Sequence, residues 1–108
     1  MSTTSFALPE GWLIPSEAEM LALSRELLTE LIPGHLLYAV PVDVIAHRLG
    51  TDDILVQHQR ERTRFSVVHL SWLQKPEINT AHPTIEYDGD YAGFVAYERA
   101  WTGLPLDE

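Results

Sequence analysis

One run of the chain is apolar on both alternating faces, residues 63–72 (Thr-Arg-Phe-Ser-Val-Val-His-Leu-Ser-Trp). Successive side chains of a strand point to opposite sides, so Phe65, Val67 and His69 are expected to share one face and the residues between them the other. A strand that is apolar on both sides needs cover on both sides. We therefore predict that this run is a central strand around which the rest of the fold is built.

The clearest helix signal precedes that strand. Ser16 followed by Glu19 has the spacing of a capping box, and leucines then recur at helical intervals as far as Leu31. This spacing predicts an amphipathic helix with Glu26 and Glu30 on its polar side. A Pro-Gly pair follows at positions 33 and 34 and ends it.

The segment 36–49 has two possible structures. Its alternating valines favour a strand, whereas Pro41 could also open a short helix that ends before Gly50. A short strand is predicted from Ile54 to Gln57, and a fourth from Thr84 to Tyr87. With tight turns between the strands, Asp43 would lie opposite His58 and His69 opposite Ile54.

A second helix is predicted after Asp88 or Asp90, either of which has the side chain to cap it. Gly93 inside this helix would allow close approach to the sheet. The predicted fold is therefore an α+β domain: an antiparallel meander of three to four strands packed with an N-terminal and a C-terminal amphipathic helix.

The 108 residues match the size of a single domain, 1–108, in which 1–11 is expected to be a loose arm and 104–108 a frayed tail. The chain has no cysteine, which excludes disulfides and thiolate chemistry. No apolar run reaches the roughly 20 residues that span a bilayer, and the first residues lack a signal-peptide pattern. We predict a cytoplasmic protein that does not bind membranes.

The five histidines do not have metal-ligand spacing. They lie 11 to 13 residues apart, one on each successive segment, without an i, i+4 pair. His69 could act as a general base, but no nucleophile elbow or phosphate-binding loop accompanies it. We therefore predict no metal, no cofactor and no catalytic residue, and we interpret the chain as more consistent with a binding protein than with an enzyme.

The charge balance points to the class of partner. Sixteen acidic residues against seven basic ones give a net charge of −9, which disfavours nucleic acid and favours a basic protein. Carboxylates beside tyrosines form surfaces that bind cationic partners. The predicted partner-binding residues are Asp52, Asp53, Glu86, Tyr87, Asp88, Asp90 and Tyr91.

Three motifs carry a resemblance. An Asp-Asp pair at 52 and 53 opens a strand, a Val-His-Leu-x-Trp run spans 68–72, and an acidic and aromatic segment follows Pro83. In these features residues 34–98 resemble a family of short uncharacterised bacterial proteins. The resemblance implies no activity, cofactor or site.

These observations support three hypotheses for function. The first is a non-enzymatic acidic protein-binding module, such as an immunity-type or inhibitor protein that neutralises a basic partner, for example a toxin domain. The second is a small enzyme or ligand-binding protein that uses His69. The third is a structural subunit that forms a homodimer through an edge strand or through the region of Trp12.

Overall fold

The computed structural model describes residues 8–72 and 82–102. Its elements, in chain order, are β1 (Trp12–Leu13), α1 (Glu17–Glu30), β2 (Val42–Arg48), β3 (Asp53–His58), β4 (Phe65–His69), β5 (Thr84–Gly89) and α2 (Tyr91–Thr102). The α+β class is confirmed. The predicted number of strands is wrong: within these described residues the sheet has five strands in the order β1-β2-β3-β4-β5, all antiparallel.

The additional strand directly follows the predicted arm, 1–11. Trp12 and Leu13 pair with Arg48 and His47, and the Trp12 side chain is buried while Leu13 is half exposed. The arm reaches this position because Gly11 has φ +94°, a left-handed conformation that glycine adopts without strain. The first seven residues of the predicted arm and the whole predicted tail lie outside the described residues, and the single domain stays a prediction.

The two helices lie on opposite faces of the sheet. Leucines of α1 pack with Val44, Ile54, Val56 and Val68 on one face. Phe94 of α2 packs with Trp12, Ala46, Leu55 and Val67 on the other. Because β3 and β4 place apolar side chains on both faces of the sheet, both faces must be shielded from water. α1 covers one face and α2 covers the other. The prediction had not assigned the helices to separate faces.

The first helix begins as predicted and buries Leu23, Leu27 and Leu31 of the predicted apolar stripe, but it buries two glutamates as well. Ser16 accepts the Glu19 backbone N–H at 3.1 Å, and the Glu19 side chain accepts the Ser16 N–H at 3.0 Å, which completes the capping box. The polar side was predicted wrongly, because Glu26 and Glu30 are buried. The Glu30 carboxylate accepts the backbone N–H groups of Ser71 and Trp72 at 2.8–3.1 Å and so anchors the chain just after β4.

Segment 36–49 contains a strand, β2, as the valine pattern favoured. Its pairing has a β-bulge between Val44 and Ala46, so Asp43 lies opposite Gln57 and not opposite His58. An extra residue in one strand shifts the register on one side of the bulge. β1 covers only the end of β2 at His47 and Arg48. Dimerisation through an edge strand stays a prediction.

The register between β3 and β4 also differs from the prediction by one residue. His69 lies opposite Asp53, and Ile54 lies opposite Val68. The connection is not a tight two-residue turn: the Arg64 N–H donates to the Glu61 carbonyl and the His58 N–H to the Arg64 carbonyl. This one-residue difference brings the histidine beside an aspartate.

The end of the sheet leads into α2 as expected. β5 runs from Thr84 to Gly89, and the Asp90 carboxylate accepts the Gly93 N–H at 2.7 Å, as an N-cap does. A Cβ at Gly93 would meet the Tyr87 hydroxyl, so the glycine permits the close contact between helix and strand. Among the described residues, no helix has the length and apolar character required to cross a bilayer.

Candidate functional site

The most distinctive polar structure is a chain of side chains that connects α2 to the end of β4. The Glu98 carboxylate of α2 accepts a hydrogen bond from the Trp12 indole N–H at 2.9 Å. It also accepts one hydrogen bond from each terminal nitrogen of Arg48, both at 2.7 Å. Arg48 Nε donates to Asp53 Oδ2 at 3.0 Å, and Asp53 Oδ1 lies 2.7 Å from Nδ1 of His69. Five residues from five elements are therefore joined in one network.

Strand geometry explains why these residues meet. Arg48 follows Ala46 by two positions, Asp53 precedes Leu55 by two, and His69 follows Val67 by two. Ala46, Leu55 and Val67 face α2, and side chains two apart in a strand share a face. The sheet thus presents the polar residues in the layer next to its apolar core, beneath the C-terminal part of α2.

Burial divides the network into an interior and an opening. Arg48, Asp53 and Glu98 are all less than 7% exposed. The His69 side chain, in contrast, is 48% exposed. The Arg48 guanidinium lies 4.7 Å from the centre of the Trp12 ring. The aromatic face therefore also covers the buried ion pair between Arg48 and Glu98. The surface end of the network is therefore the imidazole of His69, which is hydrogen-bonded to the buried Asp53 carboxylate.

Glu86 completes the cluster. In the pairing of β4 with β5, Val67 lies opposite Tyr87 and Val68 lies opposite Ile85. Glu86 is therefore the extra residue of β5 at this β-bulge. Its carboxyl lies close enough to Asp53 for each of the two groups to shift the pKa of the other. Asp53, His69 and Glu86 each offer one atom that could ligate a metal ion, and these three atoms lie within 4.8 Å of one another. We call these three residues the His69 cluster.

The electrostatics of the His69 cluster follow from burial and contact. The hydrogen bond to Asp53 raises the pKa of His69. Burial acts to raise the pKa of Asp53, but hydrogen bonds from His69, Glu86 and other neighbours outweigh burial and hold that pKa below its usual range. Burial and the nearby Asp53 charge raise the pKa of Glu86. Two adjacent carboxyls therefore differ in their affinity for a proton.

The seven predicted partner-binding residues fall into two groups. Asp52, Asp53 and Glu86 surround His69, and the negative charge of all three acts on its ring. Of these, Asp52 is exposed, Glu86 is partly exposed and Asp53 is buried. Asp53 is therefore placed where it orients His69 rather than where it meets a macromolecule.

The other group lies toward the opposite end of β5. Asp88 pairs with Arg64 at 2.6 Å, which lowers the pKa of Asp88, and also accepts the Ser66 hydroxyl at 2.8 Å. Asp90 caps α2. Tyr91 packs edge-on against Phe65. The first tyrosine of the group, Tyr87, packs against Phe94 and Tyr97 and donates its hydroxyl to the Asp90 carbonyl at 2.9 Å.

Sequence reasoning missed three members of the network: Trp12, Arg48 and Glu98. Arg48 and Glu98 are separated by 50 residues, and no local pattern connects them. The spacing of histidines along the chain gives no signal for a cluster of one histidine and two carboxylates that neighbouring strands bring together. Comparisons of the chain with protein-family models, curated proteins and solved structures give no match. The resemblance to short bacterial proteins therefore stays a prediction.

Proposed function

We propose that the protein is a non-enzymatic binding module for a basic protein partner, of the immunity or inhibitor type, and that Asp52 and Glu86 beside His69 make the decisive contacts. The observation that carries this proposal is a contrast between carboxylates. Asp88 and Asp43 form ion pairs with Arg64 and Arg62. Within the part of the chain that the structure describes, Asp52 and Glu86 form no ion pair with lysine or arginine.

Charge complementarity supports the basic class of partner. The net charge of −9 attracts a cationic protein over a distance of about one Debye length, roughly 8 Å at physiological salt. Specific contact then requires carboxylates that are not already neutralised within the fold, since paired groups would first have to be released. Asp52 and Glu86 meet that requirement at the His69 end of the sheet.

The test is affinity capture of partners from the organism's own cell extract on three immobilised proteins, with a chelator present throughout. These are the wild type, the double variant Asp52→Asn/Glu86→Gln, and the charge-matched control Glu10→Gln/Glu17→Gln, whose two sites are exposed and lie elsewhere. We expect the wild type and the control to retain the same basic protein at low salt, and the first double variant to lose it. Equal retention by all three proteins, or retention of no basic protein, would refute the proposal.

A second candidate function is ligand binding through His69. The observation that favours it is a half-exposed imidazole fixed by a buried carboxylate, an arrangement that holds the ring in one orientation. Thermal shifts with a panel of small metabolites and ions test it, with His69→Gln as the control. We expect a ligand that stabilises the wild type and not the variant, and a panel without such a ligand would count against this function.

A further inference from the structure

We infer that the His69 cluster, formed by Asp53, His69 and Glu86, binds one divalent transition-metal ion. The inference names the ligand class of the second candidate function and rests on it. It concerns the isolated protein, so it does not depend on a basic protein partner.

The donor atoms already lie at nearly the separation that an ion requires. Zinc binds imidazole nitrogen and carboxylate oxygen at about 2.0–2.2 Å, so the ligating atoms around it lie roughly 3–3.5 Å apart. In the cluster the three donor atoms lie within 4.8 Å of one another, and the distance from Asp53 Oδ1 to His69 Nδ1 is 2.7 Å. Small rotations of the exposed His69 and of Glu86 bring all three to that range.

The charges of the cluster favour a cation. Asp53, Glu86 and Glu98 are three carboxyl groups around the single guanidinium of Arg48, which Glu98 engages with both oxygens. The donor atoms of two of these carboxyl groups, Asp53 and Glu86, lie together with the His69 ring in the cluster. A divalent cation would be bound by all three groups at once, with release of the proton from any ligating atom that carries one.

The fold supports the ligands from behind, as metal sites require. Oδ2 of Asp53 is held by Arg48 Nε at 3.0 Å and by the Thr51 hydroxyl at 3.1 Å, which leaves Oδ1 directed toward His69. Second-layer contacts of this kind orient ligands, and their loss typically reduces metal affinity 10–100-fold. Arg48 is fixed in turn by Glu98 and stacks on Trp12, so the buried network supports the site.

The composition of the cluster indicates the kind of site. One imidazole and two carboxylates from three neighbouring strands suit zinc or manganese more than the all-oxygen sites of calcium or magnesium. Three protein ligands, one of them half exposed, leave coordination positions open to solvent, as in exchangeable sites and unlike closed structural zinc sites. We therefore expect reversible binding of a single ion.

The experiment is isothermal titration of chelator-treated full-length protein with Zn²⁺. The test variants are Glu86→Gln and His69→Gln, which change partly exposed side chains and leave the buried ion pair intact. The matched controls are His47→Gln and His82→Gln, two histidines outside the cluster. We expect one equivalent to bind the wild type, affinity to fall at least about 10-fold in both test variants, and the controls to stay within about two-fold.

Absence of binding at about 100 µM Zn²⁺, or an equal loss in the test and control variants, would overturn the inference. A second measurement needs no substitution: Mn²⁺ added in small amounts should broaden the NMR signals of the His69 ring before those of His35 and His58. If Zn²⁺ fails to bind while another compound still stabilises the wild type and not His69→Gln, the metal is wrong but ligand binding at His69 stands.

Discussion

Replacement of Arg48 by methionine tests the buried network most severely. Methionine fills much of the same volume without a charge, so the change removes the guanidinium while it retains apolar packing on Trp12. Three charge-assisted hydrogen bonds are lost, those from Nε to Asp53 and from the two terminal nitrogens to Glu98. Two buried carboxylates then remain without their cation.

The expected cost is large. Removing one partner of a buried ion pair typically costs about 3–5 kcal/mol, because the other charge stays buried without compensation. The total free energy of unfolding for a domain of this size is roughly 5–15 kcal/mol. Arg48→Met should therefore remove a large share of the stability, whereas Arg62→Met, which breaks an ion pair whose arginine is 58% exposed, should change it by less than about 1 kcal/mol.

Urea unfolding followed by tryptophan fluorescence and by circular dichroism measures both variants. The double variant Arg48→Met/Glu98→Leu supplies the internal control, since removal of the second charge should restore part of the loss. A loss below about 1 kcal/mol in Arg48→Met, or no recovery in the double variant, would refute the view that this network is a buried, mutually dependent ion pair.

Two other substitutions test separate parts of the fold. Burial and the hydrogen bond with Glu26 raise the pKa of Glu30 from 4.5 to about 7, so the folded state holds a proton that the unfolded chain releases, and stability should fall as pH rises from about 5 to 7. Glu30→Gln should reduce that fall by about 1–3 kcal/mol in urea unfolding at the two pH values, and an unchanged slope would contradict the assignment. Gly93→Ala should destabilise by about 1–3 kcal/mol despite alanine's better helix propensity, because the new Cβ meets the Tyr87 hydroxyl. In a Tyr87→Phe background the same change should cost less, because only the longer approaches to Asp90 Oδ1 at 3.0 Å and to the ring Cζ at 3.2 Å remain, and an equal cost in both backgrounds would exclude the hydroxyl as the cause.

Local sequence signals predicted the elements well. The capping box at Ser16 and the cap at Asp90 act through contacts within three residues, so the sequence alone indicates them. The run that is apolar on both faces likewise located β4, and the alternating valines located β2. The polar side of α1 was predicted wrongly because Glu30 is buried by a contact with Ser71, 41 residues away, which no helical period contains.

The candidate site depended on what the sequence could not specify. Two one-residue shifts, at the bulge after Val44 and in the connection before Phe65, decide which residues face one another. The prediction paired His69 with Ile54 and so separated it from its true partner, Asp53. A slip of one residue exchanges the faces of a strand, so an error that is small in sequence changes the chemistry of a site completely.

The central claim is that buried Asp53 holds His69 in one orientation through Nδ1. Nitrogen-15 NMR of the histidine rings in metal-free protein measures this directly, because it reports which ring nitrogen carries the proton when the ring is neutral. The hydrogen bond at 2.7 Å predicts that His69 is protonated at Nδ1 in its neutral form, with that proton bonded to Asp53. A neutral His69 protonated at Nε2, with no hydrogen bond from Nδ1 to Asp53, would contradict the account.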